Sequence, residues 1–397
     1  MPCALPRPKT PAGLLAALGL LLLVTGAAGC AGRQETTGPD LRQPLPDQVE
    51  EMPARPPTAA LLLPLTGQAA PVAQDMLDAA QMALFDVGAT DLVLKPKDTK
   101  GTPEGAAAAA RAALDEGVDL ILGPLYAAST GAVGPVAAGA NVRVLAFSND
   151  AGVAGGGTWI LGYRPEEQVM RVMGVAGRNG LSPVAAIAPD DAYGARALAA
   201  WRGAGGGGRS AVYPPGETDL ARVVKGMVAS DPPPALLVAD GGDRLRSMSA
   251  LFAYYGLDAA RTRLLGTMLW LEDPTLLAEP ALQGGWLASV PPDEDGAFAR
   301  RFEDLYGRPP ATLAGLAYDA TALAAVLAND GRGFDGPQLA APGGFSGHAG
   351  IFRLLPGGLT EHGLAVVEVQ NGALGVVDPA PTGFAGPALL GEPGLGF

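Results

Sequence analysis

From residue 58 onward, short continuous apolar runs alternate with stretches of helical periodicity, and this alternation restricts the possible folds most. Residues 59–63 are apolar throughout and stop at Pro64. Met76, Leu77, Ala80, Ala83, Leu84 and Val87 then recur at steps of three and four, which predicts an amphipathic helix. Strands are expected at 92–94, 118–122 and 142–147, with helices between them over about 102–117 and 128–139. Thr102-Pro103-Glu104 marks a helix start: a capping hydroxyl, a proline at the first helical position and an acid at the positive helix end. The pattern repeats with strands at 184–188, 212–213, 235–239 and 263–265, and helices from about 193, over 219–229 and over 244–255. Helices near 295–306 and 313–328 and strands at 351–355 and 364–369 complete it. Strands apolar along their whole length are covered on both faces, so the expectation is an α/β chain with parallel sheets between helices. Two such sets predict two lobes.

At 397 residues the chain exceeds one typical domain, and with 48% hydrophobic and 17% charged residues it can bury sizeable cores. A formal charge of −13 argues against a nucleic-acid surface, because phosphate backbones recruit Lys and Arg. Two Cys and two His argue against a zinc site or a disulfide framework. No cofactor is expected: the glycines at 205–208 lack the Lys-Ser/Thr of a phosphate loop. No enzyme is expected either. There is no Ser-x-x-Lys, Gly344-Phe345-Ser346-Gly347-His348 lacks the final glycine of a nucleophile elbow, and no carboxylate pair is spaced for acid–base work.

The first residues read as an address. Arg7 and Lys9 precede a short apolar run at 14–24, too short to span about 30 Å of hydrocarbon, and Ala27-Ala28-Gly29-Cys30 follows. The expectation is a lipoprotein signal peptide over 1–29, with Cys30 lipidated in the manner of a bacterial lipobox. Loss of Cys3 then leaves Cys30 alone. Residues 30–57 carry the lipidated Cys and a Pro-rich tether, and 371–397 read as a Pro/Gly-rich tail. The protein is therefore expected in the periplasm, held to a membrane through its lipid. Ala31, where enteric sorting to the inner membrane favours Asp, points to the outer membrane.

Ligands of such sheets bind beyond the carboxyl ends of the strands. The corresponding loops, at 64–67, 123–130, 148–150, 189–194, 240–243 and 266–270, contain Thr66, Ser129, Thr130, Ser148, Asn149, Tyr193, Asp240 and Met268. Ser129 and Thr130 also suit a helix cap, Asp190 and Asp191 suit a helix start, and Tyr193 suits packing. Tyr318 and Asp319 read as structural, one packing and the other holding a loop.

The ordered set Leu61-Leu62-Leu63-Pro64-Leu65-Thr66-Gly67, Asp98-Thr99-Lys100-Gly101-Thr102-Pro103-Glu104, Leu122-Gly123-Pro124, Asp190-Asp191-Ala192-Tyr193-Gly194, Ala317-Tyr318-Asp319-Ala320 and Phe345-Ser346-Gly347-His348 resembles type I periplasmic ligand-binding proteins of the leucine/isoleucine/valine-binding type. The resemblance covers about 58–370 and implies two Rossmann-like lobes joined by three crossings, near Tyr163 to Glu166, near Pro291-Pro292 and near 330–345. It implies one lobe from about 58–163 and 293–330, and the other from about 164–290 and 345–370. It also implies a cleft whose candidate ligand-binding residues are Thr66, Ser129, Thr130, Ser148, Asn149, Tyr193, Asp240 and Met268. In receptors of that type a hydroxyl binds the ligand carboxylate and an acid in the second lobe binds its ammonium. Ala127 and Met268 stand at those two positions here, and Asp240 is the candidate to supply the missing charge.

Four further segments resemble penicillin-binding-protein activator lipoproteins of the LpoA type: 75–86, Phe147-Ser148-Asn149-Asp150, Tyr213-Pro214-Pro215-Gly216 and Gly241-Gly242-Asp243-Arg244-Leu245. That resemblance implies a non-enzymatic activator with a penicillin-binding protein, a peptidoglycan synthase, as partner. The alternative is a substrate-binding lipoprotein of an ABC transporter for amino acids or related small molecules, with an ABC permease as partner.

Overall fold

A computed structural model describes residues 55–88, 91–214, 220–228 and 231–384. The leader, Cys30 and the tether up to residue 54 lie outside the described residues, as does the chain from 385. The first part of the fold runs β1 (Thr58–Leu63), α1 (Ala70–Val87), β2 (Val93–Asp98), α2 (Pro103–Asp115), β3 (Leu120–Leu122), α3 (Ala127–Gly139), β4 (Arg143–Ala146) and β5 (Thr158–Ile160). Its five strands form one parallel sheet in the order β2-β1-β3-β4-β5.

The sheet's covering follows from strand alternation. Leu61, Leu63, Leu120, Leu122 and Leu145 face one core, and Ala60, Leu62, Ile121, Val144 and Ala146 face the other. Each leucine removed from water contributes about 1.5–3 kcal/mol. On the second face α2 presents Ala106, Ala109, Ala110 and Ala113, whose small side chains let the helix lie close to the sheet. Its start is as expected: Thr102 Oγ1 accepts from Gly105 N at 3.0 Å, and Pro103 opens the helix. The edge strand β2 carries Lys95, Pro96 and Lys97, and both lysines pair with Glu116. Charge and proline on an edge discourage pairing with another chain.

The second part runs α4 (Pro165–Arg178), β6 (Val184–Pro189), α5 (Ala192–Gly203), β7 (Ser210–Tyr213), α6 (Leu220–Val228), β8 (Ala235–Val238), α7 (Gly242–Tyr254), β9 (Arg263–Gly266) and β10 (Trp286–Ser289). Then follow α8 (Pro292–Tyr306), α9 (Ala314–Asn329), the short α10 (Gly336–Leu339), β11 (Phe345–Gly347), β12 (Gly350–Leu354), β13 (Thr360–His362), β14 (Ala365–Gln370) and β15 (Ala373–Asp378). The second sheet has the order β15-β14-β10-β9-β8-β6-β7. Its parallel part, β7-β6-β8-β9-β10, repeats the order of the first sheet, and β14 and β15 add antiparallel strands. The molecule is thus α/β, with two lobes, each built on a parallel sheet. In each, the order reverses beside the first strand, which is where such sheets open a ligand crevice.

Two details differ from the sequence-based expectation. Residues 345–362 do not join the second lobe's sheet. They pair among themselves as β11-β12-β13, because two tight reversals let consecutive short strands bond antiparallel. Residues 373–378, expected in the tail, form edge strand β15 on β14. The turn at Asn371 and Gly372, both at positive φ, brings the chain back along its neighbour.

Candidate functional site

A cleft of about 640 Å³ lies between the two lobes. From the first lobe it takes the start of α1 (Ala69, Val72), the entry to α3 (Leu125, Tyr126, Ala127) and the loop after β4 (Phe147, Ser148, Asn149). From the second it takes Gln168 on α4, Tyr193 on α5, and Met268, Leu269 and Glu272 after β9. Tyr163, on the first passage between the sheets, and Thr312, between α8 and α9, complete the walls.

Gly123 opens the first-lobe side. It leaves β3 at φ +91°, and a Cβ there would stand 2.3 Å from the carbonyl oxygen of Leu62. A larger residue would push the chain off the sheet just before α3 begins. No side chain caps the first turn of α3, whose N-cap is Tyr126. The leading N–H groups of a helix have no intrahelical acceptor, so those at Ala127 and Ala128 suit an anionic or carbonyl group at the cleft wall.

The second-lobe side is tied by buried polar contacts. Gln168 donates from Nε2 to Tyr163 O at 3.0 Å and accepts at Oε1 from Met268 N at 2.7 Å. It therefore fixes the loop after β9 to the passage between the lobes. Tyr193 donates to Thr267 Oγ1 at 2.9 Å, and burial pushes its phenol pKa up. Among the described residues of the wall, Glu272 is the one charged side chain. Desolvation, with the charge of Asp240 adding to it, raises its carboxyl above the ordinary range. The remainder of the described lining is mainly apolar, with rings from Phe147 and Tyr163 and no Lys, Arg or His among the described residues.

Of the eight residues expected in the cleft, Ser148, Asn149, Tyr193 and Met268 line it. Thr66, Ser129, Thr130 and Asp240 do not. Thr66 donates to Asp98 Oδ2 at 2.7 Å, closing the loop after β1 on β2. Neither Ser129 nor Thr130 caps α3, which begins at Ala127, before both of them. Both are buried within its first turn, Thr130 donating back to Tyr126 O at 3.0 Å. Asp240 is 3% exposed and fully used: it accepts from Tyr213 Oη, from Gly241 N at 2.7 Å and from Arg244 Nε at 2.6 Å. It has no spare lone pairs for a ligand ammonium.

Gln168 and Glu272 were not expected. Gln168 lies beside the apolar stripe Val169, Val172, Met173 and Ala176 of α4, which marks a helix but not what a buried glutamine bonds to. Glu272 stands four residues past Met268, beyond the strand end, where periodicity carries no signal.

Family and structure comparisons bear on this arrangement. The periplasmic binding protein family matches residues 56–373. No curated protein matches the chain by sequence. Among solved structures, a branched-chain amino acid ABC transporter periplasmic ligand-binding protein from Burkholderia xenovorans is 21% identical with TM-score 0.70, covering 82% of this chain and 95% of its own. LivJ from Streptococcus pneumoniae, a branched-chain amino acid transporter substrate binding protein in complex with isoleucine, is 18% identical with TM-score 0.62, over 82% and 100%. An ABC transporter solute binding protein from Rhodopseudomonas palustris, in complex with 3,4-dihydroxybenzoic acid, is 21% identical with TM-score 0.62, over 82% and 98%. At such identities these likenesses speak to the fold.

Proposed function

Because the chain belongs to the periplasmic binding protein family, we propose that it is the periplasmic substrate-binding component of an ABC importer and has no enzymatic activity of its own. Its ligand is a small, largely apolar molecule bearing an amine, of the amino-acid or amino-amide class. The observation that carries this is the cleft itself. Strand-end loops of both sheets line it, and among the described residues its wall holds a single charged side chain, Glu272. A ligand amine faces Glu272, its carbonyl or carboxylate faces the first turn of α3, and its apolar body lies against Phe147, Tyr163 and Met268. Only a closed cleft touches the ligand from both sides, so binding favours closure. The permease then reads the closed form.

Titration of the full chain with isoleucine, isoleucine amide and 4-methylpentanoate, followed by melting temperature and calorimetry, tests this. The two amines are expected to raise the melting temperature, and Glu272→Gln to weaken them by at least about tenfold, the value of roughly 1.4 kcal/mol for a charge-assisted contact. 4-Methylpentanoate, lacking the amine, is expected to be insensitive to that change. No shift with any of the three would sink the proposal.

The comparisons favour this reading over activation of a peptidoglycan synthase. Two segments that suggested the activator have roles inside this fold. Asp75 and Asp78 bind Arg308, Asp86 binds Arg301, and Asp240 pairs with Arg244. Acylation of Cys30 forms part of the proposal as the membrane anchor, and intact-protein mass spectrometry detects it.

A further inference from the structure

Arg196 stands on α5 three residues beyond Tyr193, so both project from one side of the helix. Its Nε and Nη2 take the two oxygens of Glu166 at 2.7 and 2.9 Å. Glu166 lies in the first turn of α4, directly after the first passage between the sheets. The same Nη2 donates to the carbonyl oxygen of Asn149 at 2.5 Å, and Nη1 lies 4.0 Å from Asp150 Oδ1. Both α4 and α5 pack on the second sheet, whereas residues 147–150 follow β4 of the first. One guanidinium therefore spans the lobes beside the cleft. What it grips on the far side is the backbone of the loop whose Ser148 and Asn149 form the wall.

The arrangement is organised for that span. A bidentate carboxylate fixes the plane of the guanidinium fork and leaves a donor free to point across the gap. The receiving loop moves as a unit. Asp150 N donates to Ser148 Oγ at 3.1 Å, and Asp150 Oδ1 accepts from Gly152 N at 2.9 Å. Burial disfavours charge on both partners, yet their pairing outweighs it, raising Arg196 and lowering Glu166, so both stay ionised. A hydrogen bond weakens steeply once donor and acceptor separate or misalign. A hinge movement of an ångström or two would break the bond to Asn149 and leave the bond to Glu166 intact.

We propose that Arg196 is a closure latch: a positioning residue that holds the empty cleft toward its closed form and sets the Ser148–Asn149 wall by gripping the Asn149 carbonyl. The latch goes beyond the transport reading and needs no assumption about the ligand. Its consequence is general, since apparent affinity scales with the fraction of molecules already in the competent form.

The test measures opening without ligand. Spin labels at Ala112→Cys on α2 and Ala250→Cys on α7, both exposed positions, report the distance between lobes in the full chain with Cys3 and Cys30 changed to Ser. Arg196→Gln is expected to move the distribution to longer distances by several ångströms at unchanged circular dichroism. Arg196→Lys is expected to do the same, because a point-like ammonium lacks the planar fork that holds both Glu166 oxygens and still reaches the Asn149 carbonyl. Should Arg196→Gln fail to fold, Glu166→Gln carries the test: it frees the fork and should shift the distribution in the same direction. A folded Arg196→Gln protein with an unchanged distribution would overturn the latch. So would an unchanged distribution in Glu166→Gln where Arg196→Gln does not fold.

Discussion

The side chain of His348 is buried at a turn between β11 and β12, its ring 4.6 Å from that of Phe298. Its backbone N donates to Asp319 Oδ1 at 2.7 Å, and Nδ1 lies 2.9 Å from Oδ2 of the same carboxylate. The second contact is charge attraction more than an aligned hydrogen bond, since Nδ1 has no well-directed partner. Desolvation pulls the imidazole pKa down, but Asp319, helped by the charge of Asp295, outweighs it and the net shift is upward. A raised value in the folded state means the protonated ring stabilises the fold. That contribution is complete below the ordinary histidine value of about 6.5 and disappears as pH climbs through the raised folded value. Urea midpoints measured from pH 6 to 9 are therefore expected to fall with pH, and Asp319→Asn to flatten that decline. The expectation that Asp319 holds a loop is met by its bond to His348, and Tyr318 combines packing against Phe298 with a hydrogen bond to Asp86 at 3.1 Å.

Among the elements, α5 shows how little room a helix start has beside a sheet. Asp191 caps it, accepting from Gly194 N at 2.8 Å, so this acid serves the helix start that the sequence allowed. A Cβ on Gly194 would sit 2.0 Å from the carbonyl oxygen of Pro189, a backbone atom at the end of β6. Gly194→Ala is expected to cost about 1–3 kcal/mol in urea unfolding, the range for overpacking a filled interior. Because the helix must shift to make room, Tyr193 and Arg196 shift with it, and the variant should also bind its ligand more weakly. Other elements escaped the sequence for the opposite reason. β5 is three residues long in a glycine-rich stretch, whereas α4 does carry an apolar stripe, Val169, Val172, Met173 and Ala176, which the strand–helix alternation alone did not bring out.

At the level of the whole molecule, the chain passes between the two sheets three times, and the third passage carries the small sheet β11-β12-β13. The two histidines of the chain fasten that sheet at both ends. His348 meets Asp319 on α9, and His362 Nδ1 lies 3.0 Å from Glu167 Oε1 on α4. Arg164 adds a bond to Thr360 O at 3.1 Å, and Trp159 Nε1 donates to Leu355 O at 2.7 Å. The sheet is thus tied to α4 on the second lobe and to α9 and β5 on the first, as a strap across the hinge. Glu167→Gln removes the charge beside His362 and weakens the bond from Arg164 N at 2.9 Å. Amide exchange over 345–362 is expected to quicken by about tenfold or more, since a hydrogen bond to a charged group is worth roughly 1.5–3 kcal/mol. Exchange in β1 and β8 should stay the same; equal acceleration there would mean general destabilisation and not a loosened strap.

Hydrophobic periodicity is a local property, and it sufficed for the α/β class, the repeated strand–helix order and the positions of most elements. A run such as 59–63 buries itself whatever lies elsewhere in the chain, because its apolar surface leaves water in any compact state. The loops beyond the strand ends follow from the same order, which is why Ser148, Asn149, Tyr193 and Met268 were within reach of the sequence. The use made of each polar group was not. Asp240 looked spare until the fold brought Tyr213 and Arg244 to it, and Thr66 until it met Asp98. Gln168 lies 100 residues from Met268, and Arg196 lies 47 from the carbonyl it grips. Polar partners must meet in distance and angle, and only long-range packing brings such separated atoms together.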